Sequence, residues 1–285
     1  MSATEDDRHP SDPEPPLRRA SAPSASWTSD EWDRMWHPSM WLKTPPSHHE
    51  IRGWHIVAIL ALTGYANVIA NQVLSPWWHI PFNLGILGVA IAIARHAGLT
   101  VPDLGYRRDR IGRGLVVGGI VMAVIGVGML IGVAIPATRQ VFSDDRVIDR
   151  VIDRSTAAVL FDALIRIPIA TAFYEETLFR GVLFGMFVRR WRPLWAAVAT
   201  SALFGLWHIL PTIHTLDTNP AGGMLDGAVG TVAAAGGAVV GTAVAGFVFL
   251  WLRLRANSTV APVLAHIATN TFALIAALFV VRILG

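Results

Sequence analysis

Residues 114–135 read GLVVGGIVMAVIGVGMLIGVAI, 22 positions without a charge, an amide side chain or a hydroxyl. At 1.5 Å of rise per residue this stretch makes a helix of about 33 Å, enough to cross a hydrocarbon core of ~30 Å. Six further apolar stretches accompany it, at about 54–74, 77–95, 156–188, 194–210, 228–252 and 259–282. Together they predict an all-α fold, a polytopic transmembrane helical bundle of about seven spans and at most eight. The fourth stretch is too long for a plain crossing and holds Asp162, Arg166 and Pro168. It is expected to begin in the interface and kink at the proline.

Composition agrees with that reading. Of 285 residues, 53% are hydrophobic and 15% charged, whereas soluble chains carry about 25% charged residues. Lipid contact removes the need for a charged surface. The pI near 9.9 rests on arginine, since Lys43 is the only lysine. In a membrane chain such basicity reads as a topology signal rather than a nucleic-acid surface, so no nucleic-acid partner is expected. The absence of cysteine excludes disulfides, thiolate catalysis and thiolate metal sites.

The chain divides into a tail, residues 1–50, and a membrane helical domain, residues 51–285. Residues 1–26 are rich in Pro, Ser, Asp and Arg and are expected to be disordered. Trp27, Trp32, Trp36 and Trp41 follow, either lying on the membrane surface at headgroup level or forming a plain connector. The connections at 95–113, 189–192 and 253–255 are basic, while 75–76 and 211–227 carry no Lys or Arg; the third connection is the exception, with Arg139, Arg146, Arg150 and Arg154 accompanied by Asp144, Asp145, Asp149 and Asp153. The positive-inside rule then makes the N-terminus cytoplasmic and the C-terminus external. The bias towards arginine and alanine suggests a prokaryotic plasma membrane. Pairs of small residues four apart, Gly128/Gly132 and Gly237/Gly241, predict that the third and sixth spans pack inside the bundle.

Ionisable groups inside a membrane are costly and need a partner or a purpose. Asp162 and Arg166, four apart, read as a self-neutralising pair. In Phe173-Tyr-Glu-Glu-Thr-Leu-Phe-Arg180, Glu176 and Arg180 have the same spacing, so Arg180 neutralises Glu176. Glu175 points about 140° away from Arg180 around the helix and keeps no local partner. His208 closes the fifth span, and His266 and Asn270 share one face of the last. A carboxylate with an imidazole can activate water, and a second imidazole with an amide can hold an oxyanion. The same Glu175, His208 and His266 could instead ligate a divalent metal such as zinc. No His-Glu-x-x-His, Gly-x-Ser-x-Gly or P-loop pattern is present, which removes the usual support for soluble zinc proteases, serine acyl transfer and ATP-driven transport.

Glu175-Glu176-x-x-x-Arg180, Phe204-x-x-x-His208 and His266-x-x-x-Asn270, in that order, resemble the three-motif signature of the CPBP intramembrane protease family. That family includes the type II CAAX prenyl endopeptidases. The resemblance covers about residues 155–280. It implies an intramembrane metalloendopeptidase acting on a membrane-embedded or lipid-anchored peptide within the bilayer. Glu175 and His208 would activate the attacking water, His266 and Asn270 would stabilise the tetrahedral intermediate, and Glu176 and Arg180 would support them. Two other classes stay open on the residues alone. One is a non-enzymatic immunity or adaptor protein, and the other an ion-coupled transporter built on the buried Glu and His.

Overall fold

A computed structural model describes residues 27–45, 51–143, 151–218 and 227–284, in which helices are joined by turns and short loops with no strand among them. The tail 1–26, expected to be disordered, lies outside the described residues. Two short helices come first, α1 (Ser29–Arg34) and α2 (Pro38–Trp41). Then follow α3 (Gly53–Gln72), α4 (His79–His96), α5 (Ile111–Ala134), α6 (Thr156–Phe187), α7 (Pro193–Trp207), α8 (Ile209–Thr218), α9 (Gly227–Ala256) and α10 (Val260–Phe279). Seven stretches are long and apolar enough to cross a membrane, one for each predicted span. The protein is a multi-pass helical bundle. Outward residues such as Leu115, Val116, Val124 and Leu130 have more than half of their surface uncovered by protein, the condition of a lipid-facing side chain.

The fourth span, α6, is the bundle's axis. Tyr174, Leu178, Phe179, Leu183 and Phe184 are fully buried along it, and α4, α7, α9 and α10 all pack against it. The helix is continuous, but Asp162–Phe173 and Thr177–Leu183 wind as π-helix around an α-helical turn at Tyr174–Glu176. A π turn takes in more residues than an α turn, so a long segment fits without leaving the bundle. Pro168 lies inside the first π segment, and its missing N–H frees the carbonyl five residues back. That carbonyl, Ala163 O, accepts instead from Thr271 Oγ1 of α10 at 2.7 Å. Membrane helices tolerate proline through such replacement bonds.

Asp162 is buried and accepts from Arg166 Nε and from Arg154 Nη1, each at 2.6 Å. The predicted pair is thus a triad. At the opposite end, Arg189 Nη2 donates to Asp103 Oδ2 at 2.7 Å and Arg253 Nη2 to Asp103 O at 2.5 Å. These bonds seal the 97–107 loop onto α6 and α9.

Two expectations are corrected. The segment 27–45 is not spread on the membrane surface: Trp27, Trp32, Met35 and Met40 are buried in the main core. Trp27 Nε1 donates to Val188 O at 2.9 Å, Asp33 pairs with Arg110, and Trp32 and Phe184 flank the Arg253 guanidinium. The small-residue pairs are also poor packing markers: among the described residues a Cβ on Gly128, Gly237 or Gly241 would meet nothing within 4 Å, and only one on Gly132 would have a close neighbour, Phe142 Cε2 at 3.2 Å. The close approaches are elsewhere. A Cβ on Gly118 would sit 2.9 Å from Ala261 O of α10, and one on Gly205 2.4 Å from Val239 O of α9. Spacing identifies a small face, but neighbouring helices decide which face is used. The α5 span is the least buried of the seven.

Candidate active site

The site is assembled from the middle of α6, the end of α7 and the middle of α10. Glu176 has no exposed surface. Its Oε1 accepts from Arg180 Nη1 at 3.0 Å, as the i, i+4 spacing predicts, and also from His266 Nδ1 at 2.8 Å. The second bond ties α6 to α10. Arg180 also donates through Nη2 to Gly246 O at 3.1 Å, and its guanidinium lies 4.0 Å from the Phe204 ring centroid. Hydrogen bonds and a cation–π contact therefore hold this buried cation together.

Glu175, one residue earlier, is arranged differently. It is 7% exposed, its Oε1 accepts from Trp207 Nε1 at 3.3 Å, and its Oε2 is buried without a protein hydrogen bond. Among the described residues no cation pairs with it. The predicted contrast lies in the partners of Oε1: that of Glu176 is an ion-pair member with two donors, that of Glu175 has a single neutral donor, and the Oε2 of each is buried without a protein hydrogen bond.

The two histidines are tethered through the same nitrogen to different acceptors. His208 Nδ1 lies 2.7 Å from Phe204 O. A carbonyl only accepts, so Nδ1 carries the proton and Nε2 is the basic nitrogen of the neutral ring. His266 Nδ1 faces a carboxylate, so it too is the N–H donor. The Phe204 ring stands between the imidazoles, with centroids 4.6 Å from His208 and 6.1 Å from His266. Phe249 stacks on His266 at 5.2 Å. Asn270 is half-buried one turn beyond His266, and its side chain makes no hydrogen bond with the described residues. The structure thus joins Glu176, Arg180 and His266 directly, and it brings His208 to them through Phe204. Glu175 is linked to α7 through Trp207, while Asn270 lies on the same helix face as His266 and its side chain makes no hydrogen bond to the others.

Residues 157–272 match the family model described as type II CAAX prenyl endopeptidase Rce1-like. The match agrees with the resemblance that the three motifs carry. The matched segment contains all seven motif residues and spans 116 of the 285 positions. No curated protein and no solved structure matches the chain.

Several residues that shape the site carry no motif. Pro211 has no N–H to return to Trp207 O four residues earlier, and α7 ends at Trp207. The Trp207 carbonyl is taken by Asn67 Nδ2 of α3 at 3.1 Å. Asn71 Nδ2 in turn donates to Asn67 Oδ1 at 2.7 Å. At the same break the His208 backbone N–H turns to Gly205 O, which leaves Phe204 O for the imidazole. The proline-induced break thus fixes the His208 tautomer. Asn67 lies outside the matched segment, in a span that reads only as apolar. Asn67 and Asn71, four apart in that span, were the available signal. Substituting Asn67 by Leu is expected to cost about 1–3 kcal/mol by leaving Trp207 O unsatisfied. It should also lower turnover more than substrate affinity, because His208 follows that carbonyl. Thermal melting and steady-state kinetics of the variant check both.

Tyr106 of the 97–107 loop is a second unforeseen neighbour. Its hydroxyl lies 2.6 Å from Thr177 Oγ1, directly after Glu176. Burial pushes the Tyr106 phenol up to about 12, against the opposing hydrogen bond to Thr177. It therefore stays neutral and serves as a hydrogen-bonding brace for α6.

The metal reading meets a geometric test here. A catalytic zinc takes three protein ligands and leaves a fourth position open. Among the described residues no three His, Asp or Glu side chains are grouped to hold one ion. The expected set of Glu175, His208 and His266 therefore does not fit a metal as it stands, and no step below is routed through one.

Proposed function

We propose that this protein is an intramembrane endopeptidase of the type II CAAX kind, hydrolysing a peptide bond in a membrane-embedded or lipid-anchored substrate. The Rce1-like match supports a CAAX-type intramembrane protease in general. One observation carries the division of labour: the His208 Nδ1–H is held by a carbonyl and the His266 Nδ1–H by a carboxylate. With only a carbonyl beside it, His208 works as a neutral ring whose Nε2 accepts a proton. Together with the unpartnered Oε2 of Glu175 it activates the attacking water as general base.

His266 has the other task. To donate from Nε2 while Nδ1–H is bound to Glu176, its ring must be cationic. Glu175 and Glu176 then balance Arg180 and His266, so that these four groups sum to zero charge. A cationic donor at His266 and the amide of Asn270 would meet the oxyanion of the tetrahedral intermediate. As the intermediate collapses, the proton taken from water passes to the leaving amine.

A proteome comparison tests the function itself. Membranes from cells carrying the wild-type chain should lack a full-length peptide that accumulates uncleaved in cells carrying Glu175→Gln. Identical membrane proteomes would favour the adaptor reading instead. The oxyanion role has its own test: Asn270→Ala should lower turnover about 100- to 1000-fold with the content of bound divalent ion unchanged. If a chelator reversibly silenced the wild-type enzyme and Asn270→Ala were fully active, the metal-dependent alternative would replace this one.

A further inference from the structure

Beside the start of α7, an open cavity of about 730 Å3 separates the N-terminal segment from the bundle. Thr44, Pro45, Arg190, Arg192, Trp195 and Val198 are among the residues that line it. Its chemistry is graded along α7. The two guanidiniums come first. The indole of Trp195, 59% exposed, follows on α7, and Val198, 43% exposed, lies one turn further on the same face. A helix rises about 4.5 Å over those three residues, so the apolar side runs away from the cations towards the lipid-facing middle of the span.

These two cations differ from their neighbours. Arg189, Arg110 and Arg107 each meet a carboxylate, in Asp103, Asp33 and Asp109. The Arg192 side chain makes no hydrogen bond or ion pair among the described residues, and the Arg190 side chain makes one hydrogen bond, to Ile51 O at 3.2 Å. The N-terminus of α7 follows at Pro193 without a side-chain cap, which adds a positive partial charge beside the same cations. Solvated surface arginines would account for the charge alone. They do not account for an open recess that sets an exposed indole and an apolar side chain beside the same two guanidiniums.

We propose that this cavity holds an anionic phospholipid, with its phosphate between Arg190 and Arg192 and an acyl chain along Trp195 and Val198. The site lies apart from the proposed active site, and its occupancy does not depend on any hydrolytic role.

Native mass spectrometry of the full chain in detergent can read the occupancy directly. The two lipids to compare are phosphatidylglycerol and phosphatidylcholine with matched acyl chains. The wild-type protein is expected to retain phosphatidylglycerol preferentially. Arg192→Gln should weaken retention about fivefold, and the double substitution of Arg190 and Arg192 by Gln about 25-fold, at the usual contribution of one cation near a lipid surface. Arg192→Lys keeps the charge and should stay within about twofold of wild type. The Arg192 side chain bonds to nothing that folding requires, so the single variant should melt with the wild type in phosphatidylcholine. Equal retention of the two lipids, or unchanged retention by the double variant, would overturn the proposal. So would inorganic phosphate alone if it raised the melting temperature as much as phosphatidylglycerol does, because the site would then be one for free phosphate.

Discussion

Glu175→Gln is expected to lower turnover by about 100- to 10,000-fold, the range for loss of a general base, while the bundle keeps its stability. Stability should hold because the carboxylate has little to lose. Its one protein bond, from Trp207 Nε1, can be accepted equally by an amide oxygen of the same shape. The substitution also removes a buried negative charge that makes no direct ion pair among the described residues, and a buried charge without such a pair stabilises the fold little. The melting temperature in detergent should therefore be unchanged or slightly higher. Cleavage of a lipid-anchored reporter peptide under single-turnover conditions gives the rate. Undiminished cleavage by the variant would remove Glu175 from the chemistry and the hydrolytic mechanism with it.

Glu176→Gln should behave in the opposite way. Glu176 is fully enclosed, and its Oε1 accepts from both Arg180 and His266. Removing one partner of a buried ion pair costs about 3–5 kcal/mol. Arg180 keeps its bond to Gly246 O and its place over Phe204, which puts the expected loss near the lower end. A clear fall in melting temperature and yield is the expected result. Turnover should fall as well, because an amide cannot balance a cationic His266. A double-mutant cycle separates the two causes: His266→Ala introduced on top of Glu176→Gln should add little further loss of activity, since the two residues act as a unit. If Glu175→Gln and Glu176→Gln matched each other in both rate and melting temperature, the division between the two carboxylates would be refuted.

That division was half legible beforehand. The spacing of Glu176 and Arg180 is a local helical relation that places both side chains on one face, and the structure keeps it. The bond from His266 to Glu176 could not be foreseen, because it depends on how α10 is rotated against α6. The π turns that bracket Tyr174–Glu176 also depart from the 100° per residue on which any reading of helix faces relies. Asn67 was invisible for a related reason. Its value lies in a carbonyl freed by Pro211, more than 140 positions away along the chain, and nothing near Asn67 announces that carbonyl. The glycine pairs show the limit from the other side: Gly128/Gly132 has the spacing of a packing face, but no helix covers Gly128.

By itself, the sequence determined the number of spans, the all-helical class and the short list of polar groups inside the membrane. Each of these follows from one-dimensional quantities: the length of an apolar run, the cost of an uncovered backbone in lipid, and the rarity of ionisable side chains there. Only the tertiary structure decided which acceptor each histidine meets, which glycines are pressed against a neighbour, and that the Trp-rich segment joins the core. Those outcomes depend on the rotation and depth of one helix against another. Both are settled by packing and by the need to satisfy each buried carbonyl and charge, after the spans have formed.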